Sequence, residues 1–282
     1  MPAISEKLRE VEEILAAGGV ADPRKEAASL MAFALKKNRT FLIAHPEYEL
    51  SISEEDALAK IVARRAAREP LQYITGVQEF YRLEFEVTPD VLIPRPETEM
   101  VVEAAIEELA AVKDPGFCEV GVGSGCIAES ILHNVIAATA IGLDVSPAAI
   151  AVARRNAERL GVAGRIEFRE SDVFGSLGGE RFELIASNPP YVPGEDVDGL
   201  QEEVRDFEPH VALTDGNDGL SIIRRIVTGS PQFLTAGGVL LVEIGFNQSR
   251  AVEGMFDRGI WKTLEFLPDL QGIPRLVRAK LR

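Results

Sequence analysis

From Phe117 onward the chain alternates short apolar runs with amphipathic stretches, and this alternation constrains its fold more than any other feature. Apolar runs near 117–121, 138–144, 165–170, 182–187, 237–244, 260–267 and 274–281 predict strands. Helical spacing near 125–135, 147–160, 218–234 and 247–256 predicts helices between them. Such alternation builds a mainly parallel sheet with helices on both faces. The last two strands are joined only by Pro268 to Ile273. A parallel crossover needs a dozen or more residues, so that pair is expected to be antiparallel. The expected class is α/β, with a mainly parallel seven-stranded sheet and an antiparallel last strand.

The first part of the chain reads as helical. Ile4, Leu8, Val11, Ile14 and Leu15 keep helical spacing, and Gly18-Gly19 ends that helix. Asp22-Pro23 opens a second helix through about Lys36. Asn38 caps a short one through about Ala44, and Ser53 opens another that runs to Glu69, where Pro70 stops it. Leu83, Phe85 and Val87 then alternate with polar residues, as in a half-buried strand. Pro89, Pro94 and Pro96 stiffen a connector, and Pro96 launches a helix through about Val112. The expected organisation is a helical domain over 1–75, a β-hairpin and proline-rich linker over 76–97, and an α/β domain over 98–282.

The formal net charge is −15. A nucleic-acid partner requires a basic footprint, so none is expected. No apolar run approaches a membrane span, and the acidic start lacks the pattern of a signal peptide. Cys118 and Cys126 are too few for a disulfide scaffold or a zinc site. No metal site is read, and the expected compartment is cytoplasmic.

Candidate ligand-binding residues gather where predicted strands end, a common place for sites in open α/β sheets. Gly121, Gly123 and Gly125, interleaved with Val122 and Ser124, form a strand-to-helix turn. Its backbone can approach a ligand closely. Asp144 ends the next strand, placed to accept from ribose hydroxyls. Ser146-Pro147 already caps the following helix, so Asp144 is free for that role. Asp172 ends the third strand, where it can accept from an adenine amine while Val173 packs on the ring. These features suit a nicotinamide cofactor and S-adenosylmethionine equally. Glu119, at the base of the turn, can pair with a ligand ammonium, which only the methyl donor carries near that end.

Asn188-Pro189-Pro190-Tyr191 follows the strand at 182–187. Two prolines hold the backbone extended and donate no hydrogen bonds. The Asn188 side-chain oxygen and the Pro189 carbonyl make a pair of acceptors for a planar –NH2, and Tyr191 offers an aromatic face. Seven acids follow within 17 residues: Glu195, Asp196, Asp198, Glu202, Glu203, Asp206 and Glu208, with Arg205 the only base. This run is expected to lie at the mouth of the site and to steer a basic partner toward Asn188.

Together, Glu119 to Gly125, Asp144, Asp172 and Asn188 to Tyr191 resemble class I S-adenosylmethionine-dependent methyltransferases that act on planar amino groups. Three further segments narrow this: Glu69-Pro70-Leu71-Gln72-Tyr73-Ile74-Thr75-Gly76, Leu92-Ile93-Pro94-Arg95-Pro96-Glu97-Thr98-Glu99, and Asp269 to Arg275. They resemble the HemK/PrmC family, glutamine-N5 methyltransferases of peptide chain release factors. The resemblance implies a Rossmann-like methyltransferase domain behind a helical substrate-recognition domain. It implies methyl transfer to the glutamine of a Gly-Gly-Gln motif, with S-adenosylmethionine as cofactor and a release factor as partner. Asn188, Pro189 and Tyr191 would be catalytic, and Asn188, Pro189, Pro190, Tyr191 and Arg95 would hold the substrate. Glu119, Gly121 to Gly125, Asp144, Asp172, Val173 and Asn188 would hold the donor. The protein would act as a monomer, without nucleic acid or membrane. Family members usually carry Asp where Glu119 stands and Thr where Val122 stands, so a donor contact is lost at Val122. Two other readings remain: methylation of an adenine or guanine amino group in nucleic acid, and a non-catalytic nucleotide-cofactor-binding module.

Overall fold

The structure, a computed structural model, describes residues 2–282 and separates into two compact units. The first comprises residues up to Val77 together with Gln201–Phe207. Its helices are α1 (Ile4–Ala17), α2 (Pro23–Leu35), α3 (Arg39–Ala44), α4 (Ile52–Ala66) and α5 (Leu71–Thr75). The expected starts of α2 and α3 have side-chain caps. The Lys25 N–H donates to Asp22 Oδ1, and the Phe41 N–H donates to Asn38 Oδ1 (2.9 Å). The fourth helix starts earlier than expected because Ser51, not Ser53, forms a reciprocal capping box with Glu54. It stops at Ala66, and Pro70 then precedes the unanticipated α5. Ile4, Val11, Leu15, Leu30, Met31, Leu58 and Val62 form the apolar core of this unit.

The acidic helix after the Asn-Pro-Pro-Tyr segment, Glu202–Phe207, joins this first unit instead of the α/β unit that flanks it in sequence. Arg65, only 4% exposed, donates to Glu203 (3.0 Å) and to Glu26 (2.5 Å), and Arg68 donates to Glu203 (2.5 Å). A buried guanidinium needs carboxylate partners, and this need draws the segment in. The expectation that the whole run from Glu195 to Glu208 faces a basic partner is corrected for two of its acids. Glu203 is neutralised by two arginines, and Glu208 is buried against Arg95.

A hairpin follows the helices, β1 (Val77–Phe80) and β2 (Leu83–Glu86), within the segment expected to form a hairpin and proline-rich linker. Tyr81 and Arg82 turn it with φ of +48° and +62°. A two-residue turn of this kind matches strand twist, but Tyr-Arg is not a composition that announces it. A 3-10 turn at Pro96–Thr98 leads into α6 (Glu99–Leu109). The large sheet then uses β3 (Gly116–Val120), β4 (Thr139–Asp144), β5 (Ile166–Glu170), β6 (Phe182–Ser187), β7 (Leu234–Glu243), β8 (Trp261–Pro268) and β9 (Pro274–Leu281). Its order is β5-β4-β3-β6-β7-β9-β8, with β9 antiparallel to both neighbours. The helices are α7 (Cys126–Asn134), α8 (Pro147–Arg159), α10 (His210–Leu213), α11 (Ser221–Gly229) and α12 (Ser249–Glu253), with Glu202–Phe207 being α9. Two apolar clusters, one on each sheet face, make the core. The order reverses direction beside β3, so the C-terminal edges of β3, β4 and β6 open onto one crevice. No helix among the described residues is long and apolar enough to cross a membrane.

One buried group opposes the fold. Glu129 on α7 is 0% exposed, and neither carboxyl oxygen has a hydrogen-bond partner. Burial, with Glu119 nearby, pushes its carboxyl up to about 10. The side chain is thus neutral when folded and ionised when unfolded at pH 7. A raised folded value means this group's contribution to stability is fully present below the unfolded value and is lost as pH climbs toward 10. Glu129→Gln keeps the shape and removes the titration. Denaturant unfolding should show the variant gaining on the wild type from pH 5 upward, by about 3 kcal/mol at pH 7. Parallel pH profiles for the two proteins would contradict this.

Candidate active site

The crevice holds a cavity of about 390 Å³, within the range of small-ligand sites. Its floor is the glycine turn. Both Gly121 N–H and Val122 N–H donate to the Leu143 carbonyl (2.8 and 2.9 Å), which ties the turn to β4. Gly121, Gly123 and Gly125 all have positive φ, the region that a side chain disfavours. Asp144 clamps the turn from the next strand: Gly123 N–H donates to its Oδ2 (2.8 Å) and Ser146 N–H to its Oδ1 (2.9 Å). The Ala149 N–H donates to Ser146 Oγ (3.2 Å), so Ser146 caps α8 as expected. Val122 sits in a small apolar cluster with Ile150, Ala153 and Phe168, where a hydroxyl would lose its partners.

Glu119 lines the same floor and is 1% exposed. Its Oε2 accepts the Ala128 N–H (2.8 Å), satisfying a donor in the first turn of α7. Burial, and then the nearby Asp144 charge, hold the Glu119 carboxyl well above the usual range. Asp144 is raised too, by its own burial against the pull of three backbone N–H groups. Five acids (Asp90, Glu119, Asp144, Asp172 and Asp215) and one base, Arg95, line the cavity. With Asp172 paired to Arg225, and burial opposing ionisation of Glu119 and Asp144, this acid-rich lining still suits a cation better than a pyrophosphate. A cationic methyl donor therefore fits this wall better than a dinucleotide.

Asp172 and Val173 also line the cavity. Arg225 donates to Asp172 Oδ1 (2.8 Å) and lowers its carboxyl, while Val173 adopts φ +53° and is 8% exposed. Arg95 faces in from the connector and is held by Glu208, whose other oxygen accepts the Ile93 N–H (3.2 Å).

Asn188 and Pro190 belong to the cavity wall, whereas Pro189, Tyr191 and Gly125 do not. The Ser187 hydroxyl donates to the Val120 carbonyl (2.7 Å), locking the end of β6 to β3 and setting Asn188 beside the glycine turn. Tyr191, expected to offer its face to the ligand, is turned into the core on the β7 side. Its hydroxyl donates to Glu243 Oε1 (3.2 Å), and burial followed by that carboxylate pushes the phenol up. Its carbonyl accepts from Gln248 Nε2 (2.8 Å).

Thr98, Glu243, Gln248 and Asp215 support the site, and the sequence reading did not single them out. Asn188 Nδ2 donates to Thr98 Oγ1 (3.0 Å), and the Thr98 hydroxyl donates to Glu243 Oε2 (2.7 Å). Asp215 accepts the N–H groups of Asn217, Gly219 and Ser221, closing the turn that opens α11. A signal existed for Glu243. It ends an otherwise apolar strand, as Glu119 and Asp144 nearly do. Thr98 and Gln248 depend on contacts remote in sequence, whereas Asp215 closes a turn within six residues of itself.

A seven-stranded sheet with a reversed last strand, opened beside its first glycine turn onto an acidic cavity, has the architecture of a class I S-adenosylmethionine-dependent methyltransferase. Residues 6–76 match the PrmC N-terminal domain model and residues 101–204 the methyltransferase small domain model. A release factor glutamine methyltransferase of Geobacter sulfurreducens is 45% identical over 95% of this chain and 93% of its own. One from Moorella thermoacetica is 40% identical over 99% of both chains. A T. thermophilus 16S rRNA methyltransferase solved in complex with AdoMet and guanosine shares the fold, with TM-score 0.54 and 18% identity over 73% of this chain and 50% of its own. The chain belongs to the release factor glutamine methyltransferase family.

Proposed function

We propose that the protein transfers a methyl group from S-adenosylmethionine to the side-chain amide nitrogen of a glutamine in a peptide chain release factor, the glutamine of a Gly-Gly-Gln motif. The observation that carries this reading is Asn188 at the cavity wall beside the glycine turn, with its Nδ2 engaged and its Oδ1 left for a ligand. The donor supplies an electrophilic methyl on a sulfonium. The chain's own residues bind and orient. Glu119 would take the donor's ammonium, which supplies the positive charge that its buried carboxyl lacks. Asp144, already fixed by two backbone N–H groups, would take the ribose hydroxyls. Asp172 and Val173 would meet the adenine.

An amide nitrogen is a poor nucleophile because its lone pair is delocalised into the carbonyl. Asn188 Oδ1, at the cavity wall, would accept from its –NH2, aim the nitrogen, and stabilise the charge it gains. Tyr191 and Pro190 would hold that segment in place. Arg95 would face the substrate chain, its guanidinium oriented by Glu208. A net charge of −15 and the acidic cavity disfavour a nucleic-acid base as substrate.

The test is incubation with labelled donor and a panel of release factor, duplex DNA and ribosomal RNA. Label should enter the release factor alone, on one glutamine. Label in either nucleic acid and not in the release factor would overturn the reading.

A further inference from the structure

The hydrogen-bond chain behind Asn188 has a direction. An asparagine side chain can present either its oxygen or its –NH2 to the cavity, and only the oxygen can accept from a substrate –NH2. Which end faces inward is decided by Thr98, 2% exposed, and Glu243, 2% exposed, both shielded from water. An ionised Glu243 has no proton to give. It must accept the single hydroxyl hydrogen of Thr98, which leaves Thr98 Oγ1 only as an acceptor for Asn188 Nδ2. Tyr191 donates its hydroxyl to the other oxygen of Glu243, so both ends of the Asn-Pro-Pro-Tyr segment hang on one carboxylate.

We propose that Glu243 and Thr98 are positioning residues for the transfer, acting as a relay that turns the Asn188 oxygen toward the substrate glutamine. The proposal rests on the assignment of Asn188 to the glutamine amide. Protonation of Glu243 reverses the relay. A proton on Oε2 is donated to Thr98, the hydroxyl hydrogen is released toward Asn188, and Asn188 turns its –NH2 to the cavity. Two –NH2 groups then face each other and the substrate amide is not held.

Glu243 is placed to make this switch. Burial pushes its carboxyl up to about 7, Thr98 and Tyr191 pull it down, Arg275 on β9 also favours the charged form, and Glu97 opposes it. Because the ionised form is the productive one, turnover should rise with pH through that region and level off above it.

The experiment uses the full chain with Thr98→Val, Thr98→Ser and Glu243→Gln. Thr98→Val keeps the shape and should lower kcat by about 10- to 100-fold, the scale for a misplaced reacting group. Donor affinity should be unchanged and Thr98→Ser should restore most of the turnover. Glu243→Gln should lower kcat and abolish its rise with pH. A second readout needs neither donor nor substrate: the 15N side-chain amide resonances of Asn188. They should shift with pH in the wild type, with a midpoint near 7, and stay flat in Glu243→Gln. Wild-type kcat in Thr98→Val, equal impairment in Thr98→Ser and Thr98→Val, or Asn188 resonances indifferent to Glu243→Gln would overturn the relay. A wild-type enzyme that labels no release factor would instead refute the functional reading, and the resonance titration would still decide the relay.

Discussion

Replacing Asn188 by alanine should abolish most turnover while leaving donor affinity within a few-fold. The side chain projects into the cavity wall from the end of β6, and its Nδ2 is already committed to Thr98. What the substitution removes is the free oxygen, and that oxygen interacts most strongly when the amide nitrogen gains positive charge. An interaction of this kind lowers kcat without weakening ground-state binding. The expected loss is about 10² to 10³ in kcat, the scale for deleting one preorganised polar group that stabilises developing charge. Thr98 then loses a donor, but its own hydroxyl still reaches Glu243, so the fold should be preserved. Steady-state kinetics on a release factor, with calorimetry for the donor, separates the two parameters. Near-normal kcat would remove Asn188 from the mechanism, and a loss confined to donor affinity would move it to the donor site.

The second large effect is expected from a residue outside the cavity wall. Gly219 has φ +71°, and a Cβ built on it lies 2.2 Å from the Tyr191 carbonyl oxygen and 2.8 Å from its carbonyl carbon. Both obstacles are backbone, so no side-chain rotation relieves them. Gly219→Ala must therefore push Tyr191 away from the α11 turn. Asp215, which accepts the Gly219 N–H (3.0 Å), and Gln248, which donates to the Tyr191 carbonyl, resist that movement. The left-handed backbone alone costs about 1–2 kcal/mol, and the collision adds to it. The variant should lose at least about tenfold in kcat through displacement of the Asn188 segment, and unfold at lower denaturant. Wild-type kinetics in Gly219→Ala would show that the α11 turn yields without moving Tyr191.

The protein's secondary structure and class were legible in its sequence because they depend on local patterns. The strand at 182–187 and the helix opening at Pro147 need only apolar spacing, a Ser cap and a proline. The glycine turn and Asp144 were legible for the same reason. A positive-φ turn and a carboxylate at a strand end are marked by residue type. Boundaries failed where one specific side chain or strand partner decides them. The helix expected over 218–234 begins at Ser221 because Asp215 takes its N–H, and the strand expected from 237 begins at Leu234, with a register shift opposite Phe182 and Leu184.

The chemistry divides in the same way. By itself, the sequence determined the sheet, the glycine turn, the carboxylates at the strand ends and the Asn-Pro-Pro-Tyr segment. These are short runs whose residue types limit what the backbone can do. Only the tertiary structure decided how those pieces are aimed. It turned Tyr191 inward onto Glu243, tied Asn188 to Thr98 from 90 residues away, buried Glu208 under Arg95, and took Glu203 out of the acidic face by pairing it with Arg65 and Arg68. The reason is burial. A polar or charged group taken from water must find a partner, and the partner is whichever group the packed sheet and helices bring within reach, regardless of its distance along the chain.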